Sequence, residues 1–510
     1  RALQMAGLAA APRVTPQAFA GPAAEDEIAE ATADNPGVEP SPKARQPAGP
    51  PLFMYLMAAC AALNSTNIGF DIGVGSGVAV LLQQEWELSD RQVGMFIGSL
   101  QLMSALGGLG SQAITDRLGR RMTFAATQTI LLTGLAISAS ASSFGVLMVG
   151  RAIVGAAVGV GFAIDPLYIA ELAPAAHRGR LASWPEIAVN FGILLGFVSN
   201  WLFSGVDRAI SWRYMMAGGA ILPLVLLVLS IKVMPESPRW LVSRGKVDAA
   251  EAVLRTTHWE SEDVKSIVEA IQREIQEDEQ GQHGGWRPIL CPDRATRQLL
   301  AIGIGVAFCQ QINGSESVVM YSPTIFKRAH VATTESSLFA VTMLVGLVKT
   351  FFILLAAHYM DTVGRRPLLV FSTAAMTLCL GSLAAATALD CGWLSVVAVC
   401  LFMAAFSLGI GPITWLLAAE VFPSQIRAKA MSLATFTNRF TAGVVASSFL
   451  ELSEALGGQA QYFGLFAGVT GLTAAFAYLV VPETKQRTLE QLHRALGQGR
   501  RGKLAPATGP

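Results

Sequence analysis

Residues 116–121 read Asp116-Arg-Leu-Gly-Arg-Arg121, and residues 361–366 read Asp361-Thr-Val-Gly-Arg-Arg366. Two further stretches return in the same order. Ala170-Glu-Leu-Ala-Pro174, followed by Arg178, recurs as Ala419-Glu-Val-Phe-Pro423, followed by Arg427. Pro235-Glu-Ser-Pro-Arg239 recurs as Pro482-Glu-Thr484. The separations are 245, 249 and 247 residues. Three motifs at nearly one offset mean that the chain consists of two related halves.

Each half is largely apolar. The sequence is 52% hydrophobic and 14% charged, whereas soluble domains carry about 25% charged residues. About 20 apolar residues cross a bilayer. Such stretches lie near 52–83, 93–115, 122–142, 145–172, 183–204 and 214–233, and again near 298–322, 338–360, 367–389, 393–419, 430–450 and 461–481. Lipid cannot satisfy an open backbone, so these stretches are expected to be helices. The expected fold is an all-α membrane protein, with twelve transmembrane helices in two pseudo-symmetric six-helix bundles. The bundles are expected at 51–233 and 298–484. Between them, residues 234–297 are too polar to span and suit a cytosolic linker of short helices. Residues 1–50, rich in Ala, Pro and acids, suit a disordered tail, and 485–510 a cytosolic one.

Basic residues set the orientation. Four short loops carry Arg117, Arg120, Arg121, Arg178, Arg180, Arg365, Arg366, Arg427 and Lys429, while the opposite loops carry only Arg91, Arg208, Arg213, Lys327 and Arg328. The repeated motifs, both termini and the linker are therefore expected in the cytosol. A net charge of +1 gives no sign of a nucleic-acid partner. The six cysteines form no C-x-x-C pair, and no P-loop occurs. No metal, cofactor or catalytic nucleophile–base set is legible, so the chain is not expected to be an enzyme.

Seven ionisable residues fall inside the spans: Asp71, Arg151, Asp165, Glu186, Glu316, Lys349 and Arg439. Each costs roughly 2.5–3.5 kcal/mol at the bilayer centre, so they are expected around a wet cavity. Carboxylates only accept hydrogen bonds and ammonium groups only donate, which together suits a ligand with many hydroxyls. A purely structural Glu–Lys pair is the competing account. Trp415, after the Gly411-Pro412 break, offers a flat face to such a ligand. The roles of Asp165 and Arg439 stay open. Asp165 lies fourteen residues after Arg151, on nearly the same helix face and about 21 Å along it.

The motifs suggest a latch. Glu171 and Glu420 end the fourth and tenth spans, beside Arg120, Arg178, Arg365 and Arg427. Ion pairs among them would bridge the bundles at the cytoplasmic face and break as it opens; pure topology determinants are the alternative. Asp116, Gly119, Arg121, Glu236, Arg239, Asp361, Gly364, Arg366 and Glu483 complete this gate set.

These motifs, with Gln310 to Pro323, Gly411 to Ala430 and Pro482 to Glu490, resemble the sugar porter family of the major facilitator superfamily from about residue 50 to 495. Trp184-Pro-Glu186, Asn190 to Gly196, Lys349-Thr350 and Asn438-Arg439 look most like the plant polyol and cyclitol proton symporters. The resemblance implies that Asp71 and Arg151 couple a proton. It places Glu186, Gln310, Gln311, Glu316, Tyr321, Lys349, Trp415 and Asn438 around the solute, with a seventh helix broken near Asn313-Gly314. The expected partners are a small polyol or sugar, a proton and the lipid bilayer, with the chain acting as a monomer. An uncoupled facilitator and a non-transporting sugar sensor are the other readings. The plasma membrane is the expected location, with plastid envelope and vacuole as alternatives.

Overall fold

The computed structural model describes residues 51–484, apart from 175–176, 178–179, 182, 260–262, 280–286 and 423–425. The expected tails and Arg178 lie outside the described residues, as does the side chain of Asp361. Among the described residues all regular structure is helical.

The first half contains α1 (Leu52–Glu85), α2 (Asp90–Leu118), α3 (Arg120–Ala139), α4 (Phe144–Leu172) and α5 (Trp184–Phe203). Its sixth span is broken at Gly219 into α6 (Arg208–Gly218) and α7 (Ile221–Lys232). The linker holds α8 (Pro238–Ser243), α9 (Val247–Thr257), α10 (Val264–Glu279) and α11 (Arg287–Leu290). Leu241, Val242, Ala250, Leu254 and Val268 give this linker a small core of its own. The second half contains α12 (Arg294–Ile312), α13 (Ser315–Arg328), α14 (Glu335–Val363), α15 (Arg365–Ala388), α16 (Gly392–Leu408), α17 (Ile410–Val421), α18 (Arg427–Ala455) and α19 (Gln459–Val480).

Among the described residues, ten helical stretches are long and apolar enough to cross a membrane. Two more complete the expected twelve. One is α12 with α13, split at Asn313 and Gly314; the other is α18, which carries Asn438 and Arg439 midway. These two are the spans most loaded with polar groups, which is why apolarity alone passes them over. Away from the centre, side chains such as Leu224, Val228, Phe351, Leu354, Leu378, Leu472 and Leu479 stand exposed, as a lipid-facing surface requires.

The repeat is visible in atomic detail. Ser89 caps α2 through a capping box with Gln92, and its counterpart Thr334 caps α14 with Ser337. At the other end of each of these helices a glycine with positive φ, Gly119 at 85° and Gly364 at 103°, turns the chain directly into the next span. A β-carbon at either position would strike a carboxylate, that of Glu236 or Glu483.

The halves meet along two equivalent seams. The α2 helix packs along α18, and α5 along α14. Towards the end of α2 remote from the Gly-Arg-Arg turns, the first seam brings backbones into contact. A β-carbon on Gly94 would lie 2.2 Å from the Ser447 carbonyl oxygen, and one on Gly443 would lie 2.6 Å from Leu102. Gly94→Val therefore cannot keep this seam closed, because the obstructing atom is backbone. The variant is expected to expose a cysteine placed at Glu451 to a membrane-impermeant thiol reagent more than the parent does. Unchanged labelling would contradict that.

Candidate functional site

Midway between the halves the second seam carries Lys349, buried on α14 with its ammonium 5.4 Å from the Phe406 ring centroid. Half-buried Glu186 stands at the start of α5, the helix that packs along α14. Arg439 on α18 has a defined place. Its guanidinium lies 2.9 Å from Glu316 Oε1, donates to Gln101 Oε1 at 3.2 Å and to Asn438 Oδ1 at 3.1 Å, and covers the Phe162 ring at 4.7 Å. Gln101, reaching across from α2, donates to the other oxygen of Glu316 at 2.5 Å.

The broken seventh span explains how Gln310 and Gln311, though adjacent, serve the same region. Gly314 adopts φ +77°, a left-handed value that suits glycine, and Asn313 Oδ1 accepts from the Ser315 N–H at 2.9 Å to close the break. Gln310 donates to the Gly411 carbonyl at 2.7 Å and accepts from Asn438 at 2.7 Å. Gln311 donates to Glu316 and Asn438, both at 3.3 Å. Two buried acceptors here lack a donor, Gln311 Oε1 and Asn190 Oδ1. Trp415 meets Phe162 edge-on at 5.4 Å across the halves. The site thus offers carboxylate and amide acceptors, two cations and an aromatic wall, all at the seam. Among the described residues no three His, Cys, Asp or Glu side chains gather as a metal would need.

A second charged site lies within the first half. Arg151 and Asp71 are 3.0 Å apart, 1% and 5% exposed. The contact is single-pronged, because Asp71 Oδ2 and Arg151 Nε and Nη2 have no hydrogen-bond partner. Arg151 also rests over Phe96 at 4.6 Å.

At the turn face the two halves carry the same circuit. The Glu236 carboxylate accepts the Arg120 N–H at 2.6 Å and the Arg121 N–H at 3.2 Å, and Glu483 accepts those of Arg365 and Arg366 at 3.1 and 3.2 Å. Each carboxylate so caps a helix N-terminus. Burial pushes the Glu236 carboxyl up, while the N–H groups of Ser237, Arg121 and Arg120 pull it back. Arg120 grips Glu171 by two bonds of 2.8 and 2.7 Å, and Arg365 lies 3.0 Å from Glu420.

The profile described as Sugar (and other) transporter matches residues 57–496. The chain belongs to the sugar (and other) transporter family. A probable polyol transporter 4 from Arabidopsis thaliana is 42% identical over 446 residues, covering 86% of this chain and 84% of the relative. Polyol transporter 5 from the same plant is 37% identical over 483 residues, covering 90% and 89%. Among solved structures, the proton:xylose symporter XylE bound to 6-bromo-6-deoxy-D-glucose is similar at TM-score 0.74 and 27% identity, covering 87% of this chain and 99% of that one. XylE from E. coli in an inward open conformation gives 0.73 and 26%, covering 86% and 99%.

The latch, expected to break as its face opens, is not engaged across the bundles in this conformer. Arg120 with Glu171, and Arg365 with Glu420, pair inside their own halves, and among the described residues no ion pair joins the halves on the turn face. Bidentate geometry already satisfies Arg120, so it gains nothing by crossing. Arg427 donates to the Phe422 carbonyl at 3.1 Å, and Arg239 pairs with Glu274 of the linker at 3.2 Å. Asp116 meets Arg120 at 3.5 Å, and Arg121 and Arg366 donate to carbonyls of Ser230 and Tyr478. Tyr321 stands apart from the cluster: fully buried, stacked on Phe449 at 4.4 Å, with its hydroxyl donated to the Ala446 carbonyl at 2.9 Å.

The clasp between the halves lies instead at the opposite face. The first residues of α2 and α14 are Asp90 and Glu335, equivalent in the repeat. Asp90 reaches Arg328 at 3.4 Å, Glu335 reaches Arg208 at 2.8 Å, and Arg91 adds Glu451 at 4.0 Å. The sequence reading had these bases only as loop charges; the clue was an acid directly after each helix-capping Ser or Thr. Gln101 and Phe162 were also missed, because a Gln and a Phe inside apolar spans carry no signal until their neighbours are known.

Electrostatic dependence among the cluster is measurable. Lys349→Met removes a buried cation from the seam it shares with half-buried Glu186 and is expected to lower thermal stability. Adding Glu186→Gln is expected to recover part of the loss. Thermal unfolding of the parent, both single variants and the double variant gives the coupling. Additive effects would show that Glu186 and Lys349 do not act on each other.

Proposed function

We propose that the chain is a proton-coupled secondary transporter for a small polyhydroxylated solute (a polyol, cyclitol or monosaccharide) working by alternating access. The observation that carries this reading is the position of the Glu186, Gln311, Lys349, Glu316 and Arg439 cluster on both sides of the seam. A solute bound there touches both halves at once, so rocking the halves moves the access path past it. Polyol hydroxyls both donate and accept, which suits the orphan acceptors of Gln311 and Asn190 beside the donors Lys349 and Arg439. The names of the polyol transporters and of the xylose symporter agree with that chemistry.

The excess of bases around the Gly-Arg-Arg turns puts that face in the cytosol. The conformer described is then closed to the outside by the Asp90–Arg328 and Glu335–Arg208 clasp. In it Asp71 meets Arg151 at 3.0 Å. A carboxylate beside a guanidinium keeps its charge, and one parted from it in a buried site takes a proton. Opening outward, by parting the pair, loads the proton; closing outside re-forms it and discharges the proton inward. A potential of 100 mV adds about 2.3 kcal/mol per charge to this cycle. The two bundles, residues 51–233 and 298–484, are the rocking bodies, with the linker 234–297 on the cytosolic side. The chain acts as a monomer in the plasma membrane.

Asp71→Asn keeps the shape of the site and removes its titrating group. In liposomes, uphill polyol uptake driven by an imposed pH gradient is expected to vanish, while exchange of labelled for unlabelled polyol survives. Undiminished uphill uptake by the variant would sink coupling at Asp71. Absence of pH-driven uptake in the parent, with exchange intact, would make the protein a facilitator.

A further inference from the structure

Asp165 on α4 is 0% exposed, and no cation meets it among the described residues. Its partners are neutral. Asn64 Nδ2 donates to Oδ1 at 2.8 Å, and Ser65 shares a hydrogen bond with Oδ2. Gln128 Nε2 donates to Asn64 Oδ1 at 2.7 Å, which fixes the Asn64 amide with its N–H groups towards Asp165. Gln128 Oε1 is buried without a donor. The cluster is therefore short of both cations and hydrogens. A bare carboxylate in such a place carries a heavy desolvation cost, and taking up a proton removes it. The ligand set also allows the change. The locked Asn64 amide serves Oδ1 in either state. The Ser65 hydroxyl donates to an ionised Oδ2 and accepts from a protonated one.

The helices around Asp165 carry other titratable and charged groups. On α1 they are Cys60 and Asp71, on α2 Asp116 and Arg117, on α3 Arg120 and Arg121, on α4 Arg151, Tyr168 and Glu171, on α7 Lys232, and on α8, which also packs on α4, Arg239, paired with Glu274. Arg120 pairs with Glu171 and Asp116, Arg121 with helix carbonyls, Arg151 with Asp71, and the Tyr168 hydroxyl with the Pro235 carbonyl. None forms an ion pair or hydrogen bond with Asp165.

A polar face connects this cluster with the coupling pair. Asn64, Asn67 and Asp71 occupy positions i, i+3 and i+7 of α1, on one side of the helix. A cavity of about 10 Å³, at the lower limit for one water, is lined by Asn67 and Asp71 among otherwise apolar residues and ends short of Asn64. Along α4, Asp165 lies nearer the turn face than Arg151 does.

We propose that Asp165 is a second proton-binding carboxyl, placed between Asp71 and the turn face and joined to Asp71 by the polar face of α1. The role as a relay rests on the symport reading above. When Arg151 closes on Asp71, the O–H bond at Asp71 breaks and water on the polar face carries the proton. A new O–H bond forms at Asp165 Oδ2, and the negative charge stays on Asp71, beside Arg151.

Asp165→Asn imitates the neutral acid and leaves Asp71, Arg151 and the solute cluster intact. Two measurements on the full chain in liposomes test the proposal. In infrared spectra at neutral pH, the C=O band of a protonated carboxylic acid is expected to be lost in Asp165→Asn and kept in Asp71→Asn; a band that persists in Asp165→Asn overturns the assignment. In transport, polyol exchange is expected to survive Asp165→Asn, while uptake driven by a pH gradient is lost. Gradient-driven uptake with the parent's rate and pH profile overturns the relay. If the parent itself shows no gradient-driven uptake, the symport reading and the relay fail together, and the infrared arm still decides whether Asp165 holds a proton.

Discussion

A charge inside a bilayer has to be paired, wetted or neutralised, and this constraint governs where the ionisable groups described in the spans sit. Arg151 pairs with Asp71, and Arg439 with Glu316. Lys349 and Glu186 lie on the two helices of the second seam, α14 and α5. Asp165 is held by neutral amide and hydroxyl groups. Placing them has shaped the helices: α12 stops so that Gln310 and Gln311 both reach the seam, and α18 gives up apolarity to hold Asn438 and Arg439.

Duplication supplies the frame for these placements. Each half closes its turn with a positive-φ glycine, caps the following helix with a Pro-Glu carboxylate and binds the Arg side chain to a Glu at the end of a later span. The same parts appear twice, so each half is internally stapled at the turn face. The bonds across the halves lie at the centre and at the opposite face. The staples tie each half to itself, and the clasp joins the two halves.

Much of this was legible in the sequence, for definite reasons. Spans announce themselves by apolar length, and the repeat by motifs with a fixed backbone task, such as Gly119 and Gly364. The break at Gly314 was expected, as was an acid–base cluster at mid-membrane. What escaped depends on partners distant in sequence. Arg120 and Glu171 were expected to pair, but the sequence does not tell whether a pair lies within one half or between two. Tyr321 carries the same residue type whether it faces a solute or, as it does, the Ala446 carbonyl. Gln101 becomes informative only when α2 is set against α18.

The Asp90 and Glu335 clasp differs from the mid-membrane pairs Arg151–Asp71 and Arg439–Glu316 in being partly open to water: the side chains of Arg328 and Arg208 are 44% and 60% exposed. Such contacts weaken as the Debye length shrinks, from about 10 Å at 0.1 M to about 3 Å at 1 M ionic strength, whereas the buried pairs are shielded from dissolved ions. Salinity on that side of the membrane thus acts as a tuning dial on the resting posture of the carrier, favouring the conformer with its mouth open to the brine and leaving the inner wiring untouched.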